Sequence, residues 1–121
     1  MALTPEGKVK KRVRLVLDKL GAYYSMPVTN GFGKQGAPDF LVCYQGKFFG
    51  IETKAGKGKT TALQELNLKH IREAGGIALV VYEHDVVNLQ TMLVDRLTDF
   101  LNLLHRLHIQ LMQFHLLRVY D

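Results

Sequence analysis

Tryptophan is absent from this 121-residue chain, cysteine occurs once and proline three times. A lone thiol, Cys43, closes no internal disulfide, which excludes a disulfide-stapled secreted scaffold. Long apolar runs are missing too. The longest, Ile77 to Tyr82, is far too short to span a bilayer. The opening residues, Met1-Ala-Leu-Thr-Pro-Glu-Gly-Lys8, lack the apolar centre of a signal peptide. The expectation is a cytoplasmic protein with no membrane partner. Apolar residues at 47% and charged residues at 22% exclude a disordered tail or a collagen-like chain, and the length suits one domain.

Acidic residues are scarce in one half. Residues 1–59 hold 11 Lys and Arg against four acids, Glu6, Asp18, Asp39 and Glu52, whereas residues 60–121 hold five against seven. The net charge of +5 is therefore concentrated at the front of the chain. A basic half suits a polyanionic partner, most simply nucleic acid. It also suits a protein that is merely soluble.

The order of elements reads as helix, three β segments, helix, β, then a long helix. Thr4 is a good N-cap and Pro5 fits the first helical position. Val9, Val13, Val16 and Leu20 mark the buried stripe, and Gly21 ends the helix. Glu6 extends that stripe, an unusual place for a carboxylate, because burying a charge without a partner is costly. Residues 22–28 read as a short strand that Pro27 confines to an edge, followed by a loop over 29–36. Residues 39–45 and 47–54 read as a hairpin turning at Gln45-Gly46. Cys43 reads as a packed thiol among apolar neighbours. After a basic loop over 55–59, a helix spans about 60–74 and a buried strand 77–82.

The remainder, 86–121, is read as a helical extension to a core over 1–85. Leu93, Leu97, Phe100, Leu104, Leu107, Leu111 and Phe114 alternate at spacings of four and three, a heptad seam. Such a helix either packs along its own domain or pairs with a second copy. In so small a protein the balance favours a homodimer.

Three tempting motifs fail on context. Gly31-Phe-Gly-Lys-Gln-Gly36 spells a dinucleotide fingerprint, but an apolar strand follows it, not a helix. Gly58-Lys59-Thr60 resembles the end of a P-loop, but Thr53 stands where the first glycine belongs. No nucleotide cofactor is expected. His105, His108 and His115 on the last helix lack the ligands that would complete a zinc site.

The hairpin carries the chemistry. Glu52 and Lys54 are two apart, so they project from the same face of a strand. With the turn at Gln45-Gly46, partners across the hairpin sum to about 91, which sets Asp39 opposite Glu52. Like charges opposed on a sheet repel. A divalent ion resolves the conflict economically, and oxygen ligands suit Mg²⁺ or Mn²⁺. Lys54 beside them suits a water or a phosphate. The plain alternative is an exposed Glu52–Lys54 pair with Asp39 capping a turn.

Gly36-Ala-Pro38-Asp39, followed by Gly50-Ile-Glu52-Thr-Lys54, resembles the signature of the PD-(D/E)xK nucleases. Gln64 on the next helix and Gly75-Gly76 before a Val-rich strand bring it closer to the virus-type replication-repair nuclease (VRR-NUC) branch. The resemblance covers roughly residues 6–82. It implies an α/β, restriction-endonuclease-like mixed sheet flanked by helices, hydrolysing DNA phosphodiesters with a divalent metal. Carried over by position, Asp39 and Glu52 are metal ligands, with the Thr53 carbonyl a candidate third. Glu6 matches the first-helix acid near the metal. Lys54 positions or activates the attacking water, and Gln64 matches the branch's helix glutamine. Lys8, Lys11, Arg12, Lys34, Lys57 and Lys59 are candidates for DNA-backbone contacts, which position without reading sequence. No sequence-reading element is evident, so selection by DNA structure is expected. Stand-alone members resemble junction-resolving enzymes, and a symmetric dimer suits paired cuts on a Holliday junction. The competing readings are a non-catalytic DNA-binding module on the same fold and an interaction protein organised by its last helix.

Overall fold

The computed structural model describes residues 2–28 and 35–120. Helix α1 spans Pro5–Leu20, with the Thr4 side chain accepting a hydrogen bond from the Gly7 N–H and Gly21 closing the helix in the left-handed region. Both ends follow from local chemistry, since a hydroxyl satisfies a free N–H at the start and glycine adopts positive φ without strain. The buried line is Val9, Val13 and Leu17. This corrects the expected stripe: Val16 and Leu20 are only half-buried at its flank. A spacing of four throughout replaces the four-three alternation, because the strand and turn beneath α1, not the helix itself, select the face that is covered.

Four strands form one sheet in the order β1-β2-β3-β4. They are β1 (Tyr23–Ser25), β2 (Phe40–Tyr44), β3 (Lys47–Thr53) and β4 (Ile77–Val81). β1 is an edge strand, shorter than the 22–28 expected. β2 and β3 form the antiparallel hairpin, with Gln45 and Gly46 both at positive φ (52° and 75°). Two positive φ values in a two-residue loop mark a type I′ turn, whose twist matches that of the strands. Helix α2 (Ala62–Glu73) then carries the chain to β4, which pairs parallel with β3. The sheet is therefore mixed.

β2 faces inward at Phe40 and Val42, which leaves Cys43 exposed rather than packed. The run Phe-Leu-Val-Cys-Tyr has no polar alternation, so its phase is not legible from composition. β3 is buried without interruption from Phe49 to Thr53. α2 covers the face of Gly50, where an added Cβ would lie 2.5 Å from Ile71 Cδ1.

The chain divides into two compact units, residues 1–90 and 91–121. A 3₁₀ turn, Val86–Asn88, lies against α1 within the first unit. Helix α3 runs Leu89–Tyr120, and along its second-unit stretch Leu104, Leu107, Leu111 and Phe114 are exposed. No helix among the described residues is long and apolar enough to cross a membrane.

Candidate active site

The hairpin register pairs Phe40 with Ile51, so partners sum to 91 and Asp39 stands at the mouth of the hairpin opposite Glu52. Two short-range constraints hold Asp39 there. Pro38 is buried and fixes the backbone before it. Gly36 has φ +76°, and an added Cβ would lie 2.6 Å from Leu63 Cγ and 2.8 Å from Asn67 Nδ2. The buried Asn67 side chain in turn donates to the Gln35 and Leu63 carbonyls, fastening this approach to α2. The glycine of the Gly-x-Pro-Asp segment is thus required twice, by conformation and by space. Gly36→Ala is expected to cost about 2–4 kcal/mol of folding stability from positive-φ strain and overpacking, read by urea denaturation. A loss below about 0.5 kcal/mol would show that the contact relaxes freely.

Asp39 is held by its neighbours rather than left in solvent. Its Oδ2 accepts from the Thr53 N–H at 2.9 Å and from the Thr53 hydroxyl at 2.5 Å. Its Oδ1 lies 3.2 Å from Lys10 Nζ. Glu52 is 1% exposed. Its Oε1 accepts from Gln64 Nε2 at 2.9 Å and lies 3.8 Å from Lys54 Nζ. Its Oε2 is buried with no hydrogen-bond partner among the described residues. A buried carboxylate oxygen without a donor is costly, so this atom calls for a cation or a proton. Burial, and next the Asp39 charge, push the Glu52 carboxyl up to about 7, against the opposing pull of Lys54.

Glu6 completes the group. One carboxylate oxygen each from Glu6, Asp39 and Glu52 lie within 4.8 Å of one another. This geometry fits a divalent ion with oxygen ligands, and the orphaned Glu52 Oε2 leaves an acceptor open to one. Thr53 enters through its N–H and hydroxyl, as the donor that aims Asp39. Gln64 does two jobs. Its Oε1 accepts from the Thr61 N–H in a capping box at the start of α2, and its Nε2 holds Glu52.

Lys10 is the participant that the sequence reading missed. Its signal was present, four residues after Glu6 and hence on the same helix face.

The other basic residues fall into place unevenly. Lys57 and Lys59 are exposed on the loop after β3. That loop is tied down, because the Gly56 N–H donates to the Glu83 carboxylate and the Tyr82 hydroxyl donates to the Gly58 carbonyl. Arg12 reaches the Glu83 carbonyl at 3.4 Å, bringing α1 and the loop together around one residue. Lys8 lines the same small hollow as Arg12 and Glu83. Lys11 is exposed elsewhere on α1 and joins no described contact. Lys34 lies outside the described residues.

No family model and no curated protein matches the chain. Among solved structures, a "VRR_NUC domain" is similar with a TM-score of 0.63 at 27% identity, over 74% of this chain and 97% of that one. The Holliday junction resolvase Hjc of Archaeoglobus fulgidus is similar at 20% identity, over 63% of this chain and 65% of that one, with a TM-score of 0.49. The first of these neighbours is matched over nearly its whole length, and the signature residues of the PD-(D/E)xK superfamily meet here at a single point of the sheet. In its fold and in these signature residues the chain is similar to a VRR-NUC nuclease domain.

Proposed function

We propose that this domain is a divalent-metal-dependent DNA endonuclease, selective for DNA structure and acting as a homodimer. The observation that carries the reading is the buried, unpartnered Oε2 of Glu52, a residue whose carboxylate clusters with those of Glu6 and Asp39, one oxygen from each within 4.8 Å of the others. A carboxylate cluster serving only stability would leave no such atom.

Glu6, Asp39 and Glu52 would hold the ion, with the Thr53 carbonyl as a further ligand, and Mg²⁺ or Mn²⁺ suits this oxygen set. When bound, such an ion acidifies water and offsets charge on phosphoryl oxygens. The chain's own residues do the rest. Lys54, 8% exposed and beside Glu52, orients the attacking water and adds positive charge where the nucleophile forms. Gln64 fixes the Glu52 rotamer. Hydrolysis forms one bond from water oxygen to phosphorus and breaks one phosphodiester P–O bond. The leaving oxygen takes up a proton and departs as a hydroxyl. Lys8, Arg12, Lys57 and Lys59, gathered near Glu83, supply sequence-independent backbone contacts. Lys11 and Lys34 are assigned the same role from sequence position.

The dimer reading rests on the exposed apolar residues of α3. Leu104, Leu107, Leu111 and Phe114 are 45–69% exposed at heptad spacing, an arrangement that water disfavours and a second copy satisfies. A two-fold dimer presents two centres to a symmetric branched substrate. No described element forms a recognition helix or an insertion for reading base edges.

One panel tests the whole reading: labelled duplex, flap, fork and four-way junction DNA with Mg²⁺, Mn²⁺ or EDTA. Cleavage is expected with either ion, fastest on branched DNA, and none in EDTA. The variant Leu104→Glu/Leu111→Glu is expected to sediment as a monomer and to lose paired cutting of the junction. Metal-independent cleavage would remove the proposed centre. DNA binding without cleavage under every condition would favour the non-catalytic module.

A further inference from the structure

Lys10 puts a fixed positive charge into the carboxylate cluster, 3.2 Å from Asp39 Oδ1, from a side chain 37% exposed. It stands one turn after Glu6 on α1, so the same helix that contributes the third carboxylate also contributes this ammonium. Asp39 Oδ2 is taken up by the two Thr53 donors, whereas Oδ1 carries only the Lys10 ammonium and keeps a lone pair for an ion. The ligand atoms left for an ion are Glu52 Oε2 and the carboxylate of Glu6, together with whatever Asp39 Oδ1 shares.

Charge leads to the same result. With all groups ionised, Glu6, Asp39 and Glu52 against Lys10 and Lys54 leave one net negative charge. One divalent ion and one phosphodiester anion bring the centre to neutrality. A second divalent ion would leave two uncompensated positive charges beside the 1%-exposed Glu52, where burial penalises any excess charge. We propose that Lys10 takes the place of a second metal ion, so that each protomer binds one divalent cation and completes its charge with a side chain. The Lys10 ammonium then stands on the Asp39 side of the cluster, where it meets a non-bridging oxygen of the bound phosphodiester.

The inference rests on the metal-centre reading above, and its test separates the two. Mn²⁺ alone is titrated into the full chain, and bound ions are counted from the electron paramagnetic resonance signal of free Mn²⁺. Wild type and Lys10→Arg are expected to bind one Mn²⁺ per protomer, and Lys10→Met and Lys10→Gln two. In those two variants the neighbouring ions should broaden each other's bound signal by exchange. Lys10 is partly exposed on a helix surface, so all three substitutions fit without repacking. Circular dichroism melts confirm folding, and the wild-type count stands whatever the variants do. Two ions in wild type, or one in both Lys10→Met and Lys10→Gln, would overturn the substitution by lysine while leaving the metal centre intact. No Mn²⁺ bound in wild type, or undiminished binding in Asp39→Asn, would overturn the metal centre itself.

Discussion

Asp39→Ala and Lys54→Ala are each expected to lower phosphodiester cleavage by about 10³-fold while leaving affinity for duplex DNA within about three-fold of wild type. The two losses act differently. Without Asp39, the Thr53 N–H and hydroxyl lose their acceptor and Lys10 loses its counter-charge. The cluster then falls below the ligand count an ion needs. Without Lys54, the carboxylates remain but the pull that favours ionised Glu52 is gone, so that carboxyl moves further up. Affinity should survive both changes because the backbone contacts proposed for Lys8, Arg12, Lys57 and Lys59 need no metal. Asp39→Ala should even bind slightly tighter, since it removes a negative charge facing DNA. Single-turnover cleavage in Mn²⁺, beside fluorescence anisotropy in EDTA, measures the two quantities. Wild-type cleavage in either variant would dismantle the assignment.

Glu52→Gln should abolish the proposed cleavage and, in the absence of metal, stabilise the fold. Its replacement amide oxygen still accepts from Gln64 Nε2, so the shape of the site is kept while a buried charge is removed. The sign follows from linkage. Glu52 titrates at about 7 in the folded chain against a usual 4.5. Its stabilising contribution is therefore fully present below pH 4.5 and is lost as the pH rises through 7. The metal-free wild type should lose about 1–3 kcal/mol over that window, the lower figure applying where water at the mouth of the site screens the charge. Glu52→Gln should show no such loss and should melt about 5 °C above wild type at pH 8 in EDTA. Added Mn²⁺ should restore the wild type at pH 8, do much less at pH 5, and leave the variant unmoved. Calorimetry across pH 5–8 checks all of this, and a variant that melts below wild type at pH 8 would contradict it. A variant that melts above wild type would make the site an instance of stability given up for function at a buried charge cluster.

The parts of the molecule legible in its sequence are those decided within a few residues. Thr4, Pro5 and Gly21 bound α1 through capping that needs no tertiary partner. Gln45-Gly46 sets a two-residue turn, and a turn of known length fixes the register, so Asp39 meets Glu52 although no contact across the sheet is written in the residues themselves. The lone carboxylate Glu6 on the inner side of a helix signalled its site because burial of an unpaired acid is rare.

Tertiary structure alone decided the rest. The covered line of α1 settled on Val9, Val13 and Leu17, and β2 turned Cys43 outward, because both segments are apolar enough to offer more than one face and only the neighbouring elements select between them. Gln64 could be placed on α2 by its spacing, but its simultaneous grip on the helix cap and on Glu52 depends on where the β3–α2 connection lands. Lys10 and Asp39 are 29 residues apart, and the orphaned oxygen of Glu52 is defined by what fails to reach it. The sequence by itself determined which residues carry the charges. Their balance at the centre, three carboxylates against two lysines around one unpartnered oxygen, came only with packing, because burial sets the cost of each charge and burial is a property of the whole fold.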